Sequence, residues 1–216
     1  MLDWNQIDTV FFDMDGTLLD LHFDNYFWLD HLPKRYTELK NTSPEETKRR
    51  LHAMYDDHQG SLNWYCLDFW SAELDVDVVA LKREVSSRIS YRPNVQKFLK
   101  TIHDKGLDVA IVTNAHRDSV ALKLELTDLG AYFDEIICSH DYNIPKETPE
   151  FWSALQSKRP FNMNKTAFFD DNDDVLHSAK VFGIRYLYSI AQPDSQKLAR
   201  SESEFPLVHD FMDLLV

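Results

Sequence analysis

Short apolar runs recur along the chain, separated by longer segments of helical period. Thr9-Val10-Phe11-Phe12 is a β-rich run ending at Asp13, and Leu107 to Val112 is another, ending at Thr113-Asn114. Glu135-Ile136-Ile137-Cys138, Thr166-Ala167-Phe168-Phe169 and Arg185-Tyr186-Leu187-Tyr188 complete a set of five. These runs are apolar at successive positions, as strands covered on both faces must be. Between them, Asn94 to Lys105 carries Val95, Phe98, Leu99 and Ile102 at i, i+3, i+4 and i+7, followed by Gly106 as a stop signal. His116 to Leu129, Pro149 to Gln156 and Asp174 to Phe182 read as further helices, two of them ending before a glycine. The alternation predicts an α/β fold, a doubly wound (Rossmann-like) parallel sheet.

One stretch interrupts that rhythm. Residues 21–90 contain no strand signal; the pattern is helical and rich in aromatic and charged residues. Ser43-Pro44-Glu45-Glu46 reads as an N-cap, a proline at the first helical position and first-turn acids. Tyr91-Arg92-Pro93 marks the return to the sheet, because the residue before proline avoids the helical region. The expected organisation is a core domain of residues 1–20 and 91–216, with an inserted α-helical cap over residues 21–90.

The bulk numbers narrow the function. A chain of 216 residues with 44% hydrophobic and 27% charged residues can bury one sizeable core. A formal net charge of −13 argues against binding a nucleic-acid polymer or an anionic membrane surface, both of which are met with Lys and Arg. Cys66 and Cys138 form no CxxC pair, so a structural zinc site is not expected and two buried thiols are. The first residues lack a signal-peptide pattern, and no run reaches the ~20 apolar residues of a membrane span. The expected location is cytoplasmic.

Candidate chemistry gathers where strands end, which is where open α/β sheets bind ligands. The first end reads Asp13-Met14-Asp15-Gly16-Thr17. Residues two apart in extended chain point the same way, so Asp13 and Asp15 can face one site, and Gly16 lets the backbone turn. Thr113-Asn114 offers a hydroxyl, an amide and the N–H groups of a following helix, suited to phosphate oxygens. Asp170-Asp171, ahead of Asn172, Asp173 and Asp174, would repel the first-strand carboxylates without a cation, and hard oxygen donors select Mg²⁺. Lys146, in the loop Ile144-Pro145-Lys146-Glu147, can supply positive charge at the same edge.

These motifs, in this order, resemble those of the haloacid dehalogenase-like hydrolase superfamily, and they span most of the chain. The insertion falls where that superfamily places its first type of cap, as in phosphoglycolate phosphatase and β-phosphoglucomutase. Phe23-Asp24-Asn25-Tyr26-Phe27-Trp28, Leu62 to Trp70, Thr113-Asn114-Ala115-His116, Pro145-Lys146-Glu147 and Phe182-Gly183-Ile184-Arg185-Tyr186 are similar to the bacterial nucleotidase branch that acts on GMP and IMP. The resemblance implies a metal-dependent 5′-nucleotidase for a small purine nucleoside monophosphate. In it, Asp13 is the nucleophile that forms an aspartyl-phosphate, and Asp15 is the general acid and base. Thr113, Asn114 and Lys146 bind substrate. Mg²⁺ is held by Asp13, Asp15 through its carbonyl, Asp171 and, directly or through water, Asp170. Two departures stand out: Glu147 follows the lysine where many relatives have proline, and Asp170 replaces a common glycine.

Other residues read two ways. Tyr26, Phe27, Trp28, Trp64, Tyr65, Phe69 and Trp70 could line a purine pocket, although a small helical bundle would use most of them as core. Asn25, Asn63, Tyr65 and His116 are lesser candidates for substrate contact. Asp174 reads as a first-turn acid, Lys48-Arg49-Arg50 as a solvated face, and His140 and His209 as ordinary polar residues. The rival functions are a phosphatase or mutase of small sugar phosphates, a dehalogenase, and an inactive binding protein.

Overall fold

The computed structural model describes residues 2–215. Among them, six strands form one wholly parallel sheet in the order β3-β2-β1-β4-β5-β6. They are β1 (Thr9–Phe12), β2 (Asp108–Thr113), β3 (Glu135–Cys138), β4 (Thr166–Asp170), β5 (Tyr186–Ile190) and β6 (Leu207–Val208). The sequence pattern locates the first five. β6 escapes it, being a two-residue edge strand behind Pro206 with no apolar run of its own.

Side chains of a strand alternate between faces, and the core divides on that parity. Phe12, paired with Ile111 and Phe169, packs with Val95, Phe98, Leu99 and Ile102 of α7 (Val95–His103). Phe11, paired with Ala110 and Phe168, packs on the other face against Phe151, Trp152 and Leu155 of α9 (Pro149–Lys158) and Val175 and Leu176 of α10 (Asp173–Phe182). Each such large apolar side chain contributes roughly 1.5–3 kcal/mol on burial. Phe12 is fully buried and stacks on Phe169 at 5.0 Å, so Phe12→Ala is a change that opens the layer beneath Asp13.

Between β1 and α7 the chain is helical: α1 (His22–Tyr26), α2 (Leu32–Lys40), α3 (Pro44–His58), α4 (Leu62–Tyr65), α5 (Leu67–Leu74) and α6 (Val78–Glu84). The expected cap at Ser43 is present, its hydroxyl accepting the Glu46 N–H at 3.2 Å. A π-helical turn, Phe27–His31, joins α1 to α2. Pro33, one residue into α2, has no N–H to continue an α ladder there, and the widened turn accommodates the break. This insertion has its own core, including Phe23, Phe27, Tyr36, Leu51 and Trp70. Leu122 of α8 (Arg117–Leu126) enters the same cluster and seats the insertion on the sheet's helices. Its two connections run side by side. Asp20 N–H bonds the Ser90 carbonyl at 2.9 Å, and Arg92 N–H bonds the Leu18 carbonyl at 3.0 Å. Among the described residues no helix is long and apolar enough to cross a membrane.

Candidate active site

Parallel strands share a direction, so the chain leaves β1, β2 and β4 on one edge. Asp13 follows β1, Thr113 ends β2, and Asp170 ends β4. The Asp13 N–H bonds the Phe169 carbonyl at 2.9 Å, extending the ladder to the nucleophile candidate itself. Beyond it the backbone turns at Gly16 with φ +85. A Cβ there would lie 2.5 Å from an Asp171 carboxylate oxygen, so glycine is required by both conformation and space.

Lys146 is buried at the centre of this edge. Its Nζ lies 2.7 Å from Asp13 Oδ1, 2.7 Å from Asp170 Oδ2 and 2.9 Å from the Val112 carbonyl. An ammonium has three donors, and all three are used. Lys146, expected from the sequence to hold phosphoryl oxygens, is bonded here to the two acids and the Val112 carbonyl. The loop is held by Trp152, whose indole N–H bonds the Lys146 carbonyl at 3.1 Å. Asn114 accepts the Lys146 N–H at 3.0 Å and donates to Glu147 at 2.9 Å. Glu147 also accepts the Tyr65 hydroxyl at 2.6 Å, which ties the insertion to the sheet edge. The Thr113 oxygen caps Ala115 N–H at 3.0 Å, leaving its hydroxyl hydrogen available to a ligand.

Asp13, Asp170 and Asp171 bring carboxylate oxygens within 4.8 Å of one another. Burial pushes the Asp13 carboxyl up to about 6, against the pull of Lys146 and with the help of Asp170. Burial raises Asp170 and raises Asp171 well above the carboxylate range, with Asp170 and Asp13 adding to the latter. Asp170 is already bonded to Lys146 and, through Oδ1, to Asn172 N–H. The Asp171 carboxylate accepts no hydrogen bond from the described residues, while its backbone carbonyl is held by Arg200 at 3.0 Å. Three acids around one lysine, with one carboxylate left without a partner, fit a hard divalent cation such as Mg²⁺.

The Asp15 side chain turns elsewhere. It meets Lys123 Nζ at 2.5 Å, and Lys123 also contacts Asp24 at 2.7 Å. Asp24 in turn meets Lys82 at 2.6 Å. Burial raises Asp15 to about 6 although Lys123 opposes it; for Asp24, burial is outweighed by Lys123 and Lys82, and its carboxyl lies well below the ordinary range. The side chain of Asp15 is thus outside the carboxylate cluster expected to hold metal. Sequence reasoning missed Lys82, Lys123 and Asp24. A signal existed for the lysines: Lys82 lies four residues after the buried Val78, and Lys123 three after the buried Val120, each on an apolar stripe.

A cavity of about 340 Å³ opens between the sheet edge and the insertion. Asp13, Asp15, Thr113, Asn114, Lys146, Asp170 and Asp171 line its floor; Trp28, Tyr55, Trp64, Tyr65 and Trp70 line its roof. The other aromatic candidates, Tyr26, Phe27 and Phe69, belong to the insertion's packing. Asn25 bonds Asp194 at 2.7 Å, and Asn63 is exposed and does not line the cavity. Asp174 is an exposed first-turn acid, and Lys48, Arg49 and Arg50 are exposed, as expected. One reading is corrected: Cys66 is only half-buried, while Cys138 is buried as expected; His140 lies beside His116 and Cys66.

Residues 10–188 match the haloacid dehalogenase-like hydrolase family. The chain belongs to this family. Within it, a GMP/IMP nucleotidase, YrfG, of Escherichia coli is 37% identical over 98% of this chain and 96% of its own length. A phosphorylated carbohydrates phosphatase of Thermotoga maritima is 23% identical over 85% of each chain. In structure, a haloacid dehalogenase-like phosphatase of Thermococcus onnurineus superimposes with a TM-score of 0.78 at 21% identity, covering 96% of both chains, which supports the shared fold. The matched span includes Asp13, Thr113, Lys146, Asp170 and Asp171 of the sheet edge described above.

Proposed function

We propose that the chain is a Mg²⁺-dependent phosphatase acting as a 5′-nucleotidase on purine nucleoside monophosphates, GMP and IMP foremost. The observation that carries this reading is the convergence of Asp13, Asp170, Asp171 and Lys146 beneath a cavity roofed by tryptophan and tyrosine. Aromatic faces suit stacking on a purine. The 37% identity to the Escherichia coli nucleotidase over nearly the whole chain supports the same substrate class. A charge of −13 disfavours a polymeric phosphodiester partner or an anionic membrane, and a small substrate in the cytoplasm accords with both.

Asp13, held by Lys146 and by its backbone bond to β4, attacks phosphorus and forms an aspartyl-phosphate. Asp15, with its carboxyl raised into the range of a usable acid, protonates the departing ribose oxygen and then takes a proton from water as the intermediate hydrolyses. The Thr113 hydroxyl and the neighbouring amides bind phosphoryl oxygens. Asp13, Asp170 and Asp171, with the Asp15 carbonyl, would hold Mg²⁺, which would supply the positive charge that lets an anionic nucleophile meet an anionic phosphate. The helical cap, residues 21–90, covers the site and excludes water.

A phosphate-release screen with Mg²⁺ tests this reading. GMP and IMP are expected to show the highest kcat/KM. Sugar phosphates or phosphoglycolate outranking all nucleotides would transfer the assignment to the sugar-phosphate branch. No release from any ester, a generic aryl phosphate included, would overturn the phosphatase reading.

A further inference from the structure

A second cluster of ligand-bearing side chains lies on the same edge, outside the carboxylate group. Cys66, His116 and His140 place one sulfur and two ring nitrogens within 4.8 Å of one another. They come from three places: Cys66 from the turn between α4 and α5 of the insertion, His116 from the start of α8, and His140 from the turn after β3. His140 Nε2 is buried and has no hydrogen-bond partner among the described residues, a condition a polar atom rarely tolerates without a ligand. Burial, with His116 adding to it, holds the imidazole below its ordinary pKa, which favours the neutral ring that a metal requires. His116 and His140 meet edge to face at 5.1 Å. Each nitrogen of His116 has a carboxylate nearby, Asp68 at 3.5 Å from Nε2 and Asp118 at 3.7 Å from Nδ1. Nδ1 now accepts the Asp118 N–H at 3.4 Å; ligation through Nε2 moves the ring proton to Nδ1 and exchanges that cap for the Asp118 carboxylate, the kind of contact that orients metal-binding imidazoles.

We propose that Cys66, His116 and His140 form a second cation site, selective for a soft divalent transition ion such as Zn²⁺, and that its occupancy pins the helical insertion to the sheet edge. The donor set decides the ion. Thiolate with two imidazoles suits Zn²⁺ and excludes Mg²⁺, whereas the neighbouring carboxylates have the opposite preference. Tetrahedral Zn²⁺ separates such donors by about 3.5 Å, so side-chain shifts of about 1 Å close the site. Three protein ligands leave a fourth position to water, the composition of an exchangeable site. Binding releases the thiol proton to solvent and makes a Zn–S bond with no redox change. Because one ligand belongs to the insertion and two belong to the sheet's loops, the ion cross-links the two walls of the cavity.

Co²⁺ provides the probe, in the full chain with excess Mg²⁺ filling the carboxylate site. Co²⁺ is expected to give a thiolate-to-metal charge-transfer band that Zn²⁺ abolishes and added Mg²⁺ does not. Cys66→Ser removes the soft donor while preserving the fold, since the sulfur now caps Phe69 N–H at 3.4 Å and serine is a better N-cap. It should eliminate the band. His140→Asn should weaken Zn²⁺ binding by more than about tenfold, the lower end of what even an outer partner costs a metal site. Zn²⁺ should also slow hydrogen exchange in residues 61–67 of the wild type and leave Cys66→Ser unaffected. No band in the wild type, a band surviving Cys66→Ser, undiminished Zn²⁺ affinity in His140→Asn, or unaltered exchange would each overturn the proposal.

Discussion

Two clusters of buried and half-buried charges flank the turn that carries Asp13 and Asp15, and they are balanced differently. Around Lys146, two acids, Asp13 and Asp170, share one ammonium, and the carboxylate of the third, Asp171, has no hydrogen-bonding partner among the described residues. Around Lys123, two acids, Asp15 and Asp24, share two ammonium groups, Lys123 and Lys82, at 2.5 to 2.7 Å. Buried charge is tolerated when it is paired and hydrogen-bonded. The second cluster meets that condition with the chain's own residues, and the first does not. The contrast separates a site that requires an added cation from a network that fixes the general acid and docks the insertion. Lys82 and Asp24 come from the insertion, whereas Asp15 and Lys123 come from the sheet side, so the balanced cluster also joins the two walls of the cavity.

The comparison can be broken in graded ways. The largest effect is on catalysis: Asp13→Asn keeps the shape of the nucleophile and removes its charge, and turnover should fall to the assay background. Asp15→Asn should lower the rate by roughly 10²–10⁴, the usual range for proton transfer. Next, Lys123→Met leaves two half-buried carboxylates, Asp15 and Asp24, with one remaining ammonium. Denaturant unfolding should show a loss of about 3–5 kcal/mol, with or without Mg²⁺. Asp171→Asn should act in the opposite direction on the metal-free protein. Removing an unpaired charge should raise its stability by about 1–3 kcal/mol and abolish stabilisation by Mg²⁺. The smallest effect is a pH dependence. Asp13 is raised to about 6 and Asp171 is raised well above the carboxylate range. Acids raised in the fold favour it at low pH, and that contribution is lost as pH rises through their folded values. The metal-free protein should therefore lose stability relative to the Mg²⁺ form as pH rises from about 4 through about 6, the folded value of Asp13. The Tm increment from Mg²⁺ should grow over the same interval, and an increment that shrank would contradict the unbalanced cluster.

Much of this site could be read from the chain because a parallel sheet makes strand ends converge. Asp13, Thr113 and Asp170 each sit at the close of an apolar run, and order along the chain was sufficient to place them on one edge. The balanced cluster and the Cys66, His116 and His140 group were not legible in the same way. Their members come from separate elements, and only the docking of the insertion brings them together. The two lysines still left a trace as charged positions on otherwise buried helical stripes. Bond saturation was equally hidden: nothing in Ile144-Pro145-Lys146 shows that all three lysine donors are occupied by Asp13, Asp170 and Val112. β6 failed for the opposite reason, since two residues pair on the sheet edge with no pattern long enough to detect.

The most direct measurement is a chemical trap of the acyl-phosphate. The enzyme is quenched in acid during turnover of GMP with Mg²⁺, reduced with borohydride, digested and sequenced by mass spectrometry. The account predicts homoserine at position 13 and unchanged aspartate at positions 15, 170 and 171. Reduction at any of those positions, or at none while GMP is being consumed, would contradict it.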